Sequence, residues 1–122
     1  MLYHNVLTIE RLKSILKKNV LLKMDDLECV CLTRDINYLK SRGIRIVFDK
    51  TKLKYNYKIK PFSYRGYCIL NNRKFIPRFD ECEERVYNDI NIIKTCIRID
   101  IDKNKYNIID IKNDLINHTY DF

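Results

Sequence analysis

Apolar residues recur at helical spacing near the start of the chain. Ile9, Leu12, Ile15 and Leu16 mark one side, and Arg11, Lys13, Lys17 and Lys18 the other. That period predicts a helix over Ile9–Lys18. Thr8 is its N-cap, Glu10 places an acid in the first turn, and Asn19 ends it. Leu2 to His4 reads as a short strand before the helix. Residues 20–22 extend into a loop that holds Asp25 and Asp26. Residues 29–33 read as a second strand. Asp35 caps a brief helix through Tyr38 and Lys40, which Gly43 terminates. Residues 44–48, β-branched and apolar, form the clearest strand.

The middle of the chain is less regular. Residues 49–53 read as a turn, and residues 55–67 as loop with strand fragments. Residues 75–79 fit no single element, and residues 80–90 suit a short helix or a strand. Thr95, Ile97, Ile99 and Ile101 then alternate with Cys96, Arg98, Asp100 and Asp102, as a half-buried strand does. Ile108, Ile111, Leu115 and Ile116 return to helical spacing. The order of elements predicts an α+β class: a small mixed, twisted two-sheet core with an N-terminal helix. No repeat or linker divides the 122 residues, so a single domain over 1–122 is expected.

Composition narrows the chemistry. Only two glycines are present, Gly43 and Gly66. Dinucleotide fingerprints, P-loops and nucleophile elbows all need clustered glycines, so none can be built here. Ile, Asn, Lys and Tyr abound, as AT-rich coding produces, so position weighs more than bulk composition. The net charge is +8. From Ile36 to Pro77 there are eleven Lys or Arg and one acid, Asp49; elsewhere acids outnumber bases, fifteen to thirteen. Coding bias spreads lysine but does not remove acids from one stretch, so the basic middle is expected to meet phosphates. The plain alternative is a solvated face.

Five cysteines without a CxxC, and two histidines near opposite ends, give no zinc-ligand spacing, and no metal site is expected. No apolar run approaches a membrane span, and no signal region opens the chain. A cytoplasmic protein with reduced cysteines and no membrane partner is therefore expected.

Three blocks stand out together. The first is Tyr3-His4, followed by Leu12-Lys13-Ser14-Ile15-Leu16. The second is Leu32-Thr33-Arg34-Asp35, and the third is Glu83-Glu84-Arg85-Val86. Lys60-Pro61-Phe62-Ser63-Tyr64 lies between the second and third. In this order, over residues 2 to 87, the blocks resemble the NAD-dependent ADP-ribosyltransferase superfamily. The likeness is nearest to its small bacterial and phage members, the DarT-like DNA ADP-ribosyltransferases and the RNA 2′-phosphotransferases.

The resemblance implies a cleft between two small sheets that binds NAD as a substrate. Tyr3, His4, Thr33 and Arg34 would be cofactor-binding. His4 would bond a ribose or amide, Thr33 would bond the ribose or orient the glutamate, and Arg34 would contact the diphosphate. Glu84 or Glu83 would be catalytic, since cleaving the nicotinamide–ribose bond needs a carboxylate near the oxocarbenium-like centre. Adjacent strand residues point to opposite faces, so only one can enter the cleft; the family pattern favours Glu84. Each residue also has a plain structural reading. His4 can be a satisfied histidine, Thr33 a turn residue, Arg34 a partner of Asp35, and the glutamates an exposed acidic turn.

Tyr55, Tyr57, Tyr64 and Tyr67 are interleaved with Lys54, Lys58, Lys60 and Arg65, as on surfaces for single-stranded nucleic acid, and Lys54, Tyr57, Lys58, Lys60, Tyr64 and Arg65 are the expected contacts. Tyrosines covering a core edge would give the same spacing. The expected function is NAD-dependent ADP-ribosyl transfer to a nucleic-acid or protein acceptor, in a phage or mobile-element setting. The alternative is a non-enzymatic basic protein or viral inhibitor that binds nucleic acid or a nucleoprotein complex.

Overall fold

The computed structural model describes residues 1–107, 113–119 and 122. A seven-stranded sheet dominates it. Its strands are β1 (Leu2–Asn5), β3 (Val30–Thr33), β4 (Ile44–Phe48), β5 (Ile59–Pro61), β6 (Glu83–Val86), β8 (Cys96–Asp102) and β9 (Ile116–Thr119). They run in the order β5-β6-β3-β1-β4-β8-β9. Every pairing is antiparallel except β8 with β9. The class is thus mixed α/β with a mostly antiparallel sheet. The second sheet is only a ribbon of β2 (Val20–Leu21) and β7 (Ile90–Asn91), not the second layer of the expected two-sheet core.

Register divides the large sheet into two unlike faces. Opposed residues share a face, and the pairs Leu2–Phe48, Ile46–Ile99, Ile44–Ile101 and Val30–Val86 are all apolar and buried. Leu12, Ile15 and Leu53 join this core. They come from α1 (Ile9–Lys18) and α2 (Lys50–Asn56), which therefore cover the apolar face. The other face carries Tyr3, Asn5, Thr33, Arg45, Glu83, Arg85 and Asp100.

Capping sets the ends of the short elements. Thr8 Oγ1 accepts from the Arg11 N–H, and Asn19 closes α1 in the left-handed region. The Asn19 side chain then accepts from the Ile93 N–H, tying α1 to α4 (Ile92–Thr95). Residues 49–53 are not a turn: Asp49 caps α2 by accepting from the Thr51 and Lys52 N–H groups. Residues 55–67 hold the end of α2, strand β5 and the start of α3 (Tyr64–Leu70), which Ser63 caps. Each helix buries one side chain, Leu53 or Cys68, too few to print a period in the sequence. Residues 77–79 form a single 3-10 turn, and residues 80–90 contain strand β6.

Asp35 makes a side-chain turn to Asn37 rather than capping a helix through Tyr38. A 3-10 turn at Lys40–Arg42 follows and ends at Gly43. Gly43 has φ +75, and a Cβ there would lie 3.1 Å from the Tyr106 ring, so only glycine fits without strain. At the C-terminal end, Ile116 opens β9 rather than continuing a helix; Ile108 and Ile111 lie outside the described residues. Among the described residues, no helix is long and apolar enough to cross a membrane.

Candidate functional site

Two cavities adjoin, and Glu81 lines both. The smaller, of about 160 Å³, is lined by Tyr3, His4, Thr33, Tyr38, Arg42 and Glu81, among others. The larger, of about 360 Å³, is lined by Phe62, Tyr64, Tyr67, Phe79, Glu83 and Arg85 as well as Glu81. The larger volume lies within the range of small-ligand pockets. Strand pairing explains the convergence: Tyr3 of β1 lies opposite Thr33 of β3, and Thr33 lies opposite Glu83 of β6. Residues eighty positions apart in sequence become neighbours across three strands.

Three of the four expected cofactor residues, Tyr3, His4 and Thr33, share the smaller cavity. The fourth does not. Arg34 is exposed and lines neither cavity, and Arg42 is the guanidinium that reaches the wall. The Thr33 hydroxyl is already committed. It donates to the Glu81 carbonyl at 2.5 Å and accepts from the Asp35 N–H at 3.0 Å. Thr33 therefore positions the Glu81 segment instead of presenting a hydroxyl to a ribose. Tyr38 donates its hydroxyl to Glu81 Oε1, and burial with this carboxylate pushes the phenol up to about 12.

His4 donates Nδ1–H to the Cys31 carbonyl at 3.2 Å, which leaves Nε2 as an acceptor. Burial holds its pKa down to about 4; the Cys31 bond opposes the shift, and Arg11 and Arg42 add to it. The ring is neutral near pH 7. The unfolded chain titrates near 6.5 and the folded one near 4, so the unfolded state takes the proton first. This contribution to stability is complete above pH 6.5 and is lost as pH falls toward 4. Denaturant titrations across that window will show the decline, and His4→Gln will flatten it. An unchanged slope in the variant would assign the effect to another group.

The two glutamates part company. Glu84 lies opposite Leu32 on the apolar face and is 1% exposed. Its Oε1 lies 2.6 Å from the Lys50 Nζ, and its Oε2 has no hydrogen-bond partner. The catalytic assignment to Glu84 is therefore corrected: the strand points it away from both cavities. Glu83 is on the polar face and lines the larger cavity. Its Oε2 accepts from Arg85 Nε at 2.9 Å, and the Arg85 guanidinium stacks 4.0 Å from the centre of the Phe62 ring. Cys82, between Glu81 and Glu83, sits in the left-handed region at φ 47. That costs a β-carbon about 1 kcal/mol or more. Hydrogen bonds from its N–H to Asp80 Oδ1 and from the Arg34 N–H to its carbonyl hold it there. This kink lets Glu81 and Glu83 both face the cavities.

Of the residues expected to bind nucleic acid, Lys54, Lys58, Lys60 and Arg65 are exposed, and Tyr64 walls the larger cavity. Tyr57 is corrected. It packs against the core, and its hydroxyl accepts from the Asn91 N–H at 2.9 Å, so its ring is not a stacking surface. Tyr67, one of the tyrosines expected to stack bases, walls the larger cavity too, whereas the sequence assigned no role at the site to Phe62, Phe79, Tyr38, Arg42 or Glu81. The two-residue spacing of Glu81 and Glu83 was a signal for Glu81, although the left-handed Cys82 between them, not strand alternation, sets where the two acids face. The five cysteines are unbridged. Among the described residues, no cluster of three His, Cys, Asp or Glu is placed to hold a metal ion. Comparison with protein-family models, with curated proteins and with solved structures finds no match to this chain.

Proposed function

We propose that the paired cavities hold NAD and a nucleic-acid acceptor side by side and transfer the ADP-ribose of one to the other, in the manner of the ADP-ribosyltransferases that the sequence resembles. The observation that carries this reading is that Tyr3, Thr33 and Glu81 line one cavity together with His4, which reaches it from the other face of β1, and that Glu81 also lines the adjoining cavity with Glu83. A neutral His4 with Nε2 free to accept suits a ribose hydroxyl. Glu83, nine-tenths buried and bonded to Arg85, would be the carboxylate that meets the positive charge developing on the ribose. In the step, the bond from the ribose carbon to the nicotinamide nitrogen breaks, and its electron pair leaves with neutral nicotinamide. An acceptor nitrogen or oxygen then bonds to that carbon and gives up its proton. Glu81, which lines both cavities, would take that proton on its second oxygen.

The exposed Lys54, Lys58, Lys60 and Arg65 favour a phosphate-bearing acceptor. They equally favour a second reading, a binding protein with no transfer. NAD labelled on its adenosine half, incubated with the protein and single-stranded DNA or RNA, separates the two. Transfer of label to the strand, weakened in His4→Ala and kept in Arg34→Ala, is the expected result. Absence of NAD binding by calorimetry, with salt-sensitive strand binding intact in His4→Ala, would overturn it in favour of the second reading.

A further inference from the structure

The larger cavity has features that NAD transfer does not require. Its walls are rings: Phe62, Tyr64, Tyr67 and Phe79. Phe79 is 52% exposed at the cavity, a large apolar surface left to water. Cations lie against these same rings. The Arg73 guanidinium is 5.6 Å from the centre of the Tyr67 ring, and that of Arg78 is 5.0 Å from the Phe79 ring. Neither forms an ion pair with a carboxylate among the described residues. A cavity walled by rings, with guanidiniums lying against two of them, matches one ligand class, a base stacked on a ring with its phosphates outside.

The polar groups inside the cavity narrow the base. Glu81 accepts from Tyr38 through Oε1 and has a second carboxylate oxygen, Oε2. Arg85 spends Nε on Glu83 and keeps its other N–H groups. The cavity therefore offers a carboxylate acceptor and a guanidinium donor together. Guanine alone among the bases presents two adjacent donors, N1–H and the N2 amino group, beside an acceptor, O6. Cytosine and adenine place an acceptor next to their single amino donor, which a carboxylate repels. Thymine and uracil flank their one donor with two acceptors.

We infer that the cavity walled by Phe62, Tyr64, Tyr67 and Phe79 is a guanine pocket for single-stranded nucleic acid, read by Glu81 and Arg85. This concerns binding, and it stands whether or not the smaller cavity takes NAD.

Fluorescence anisotropy with labelled oligothymidine, with and without one central guanine, tests it in the absence of NAD. The strand with guanine will bind about tenfold tighter, the worth of one good bidentate contact. Inosine in place of guanine, which lacks the N2 amino group, will lose most of that preference. Tyr67→Ala and Phe79→Ala will each weaken the guanine strand by about tenfold or more, the size of one missing base stack. Glu81→Gln will erase the preference but keep the affinity for plain oligothymidine. Arg73→Ala with Arg78→Ala will weaken both strands alike and reduce the salt slope by about 0.7 for each phosphate no longer neutralised. Tyr67 and Phe79 are exposed, so these variants keep the fold, and melting curves verify it. Equal affinity for the two strands, or unweakened binding by both ring variants, would overturn the inference. Strand binding is read without NAD and label transfer with it, so a failure of transfer and a failure of the pocket are read separately.

Discussion

Asp100→Ala will destabilise the fold by about 3–5 kcal/mol, the usual cost of leaving a buried charge without its partner. Asp100 lies on β8 between β4 and β9, and its side chain is 2% exposed. Its oxygens accept from Arg45 Nε at 2.9 Å, Arg98 Nε at 2.9 Å and Asn117 Nδ2 at 3.2 Å. Arg45 is buried as well, under the Tyr3 ring at 5.7 Å and the Phe122 ring at 4.4 Å. Without the carboxylate, the Arg45 charge stays under those rings with one long hydrogen bond, 3.5 Å to the Ile36 carbonyl.

Burial by itself would raise the pKa of Asp100. The bonds from Arg45, Arg98 and Asn117 outweigh it and hold the carboxyl below the usual range. A depressed carboxyl stabilises the fold above its unfolded pKa, about 4, and that stability is lost as pH falls through the folded value. Urea titrations of the wild type and of Asp100→Asn will therefore converge below about pH 4. A cost under about 1 kcal/mol for Asp100→Ala would show a solvated pair of the surface kind instead.

Glu83→Gln will lower label transfer by about 10²–10³-fold, the size found when one group stabilising a transition-state charge is removed. Glu84→Gln will leave transfer per folded molecule near the wild-type level. It will instead lower stability by roughly 1–3 kcal/mol, because Lys50 loses a charged partner whose other oxygen is already unsatisfied. Lys50 is 38% exposed and recovers part of that loss from water. The two neighbours thus give opposite signatures, one in rate and one in melting temperature. The reverse assignment, with transfer lost in Glu84→Gln and kept in Glu83→Gln, would mean that β6 presents its other face to the substrate.

Period and caps were legible in the chain. Ile9, Leu12, Ile15 and Leu16 mark α1 because a helix needs one apolar stripe, and Thr8 and Asn19 mark its ends because only certain residues satisfy free N–H groups or turn left-handed. Alternation marks β8, and β-branched density marks β4. The seven-residue helices α2 and α3 were not legible, since one buried side chain makes no period.

The blocks holding Tyr3, His4 and Thr33 were readable as a set, and they do share a cavity. Their exact roles were not. Thr33 spends its hydroxyl on Glu81, and Arg42 rather than Arg34 reaches the cavity, because backbone turns aim side chains that sequence spacing cannot. Local sequence states that Glu83 and Glu84 face opposite ways, since strand residues alternate. Which of them meets the apolar face is a matter of register. The pairing of Leu32 with Glu84 and of Thr33 with Glu83 is set across strands fifty residues apart, by burial of Val30, Leu32 and Val86 together. A shift of one residue would exchange the two carboxylates between core and cavity.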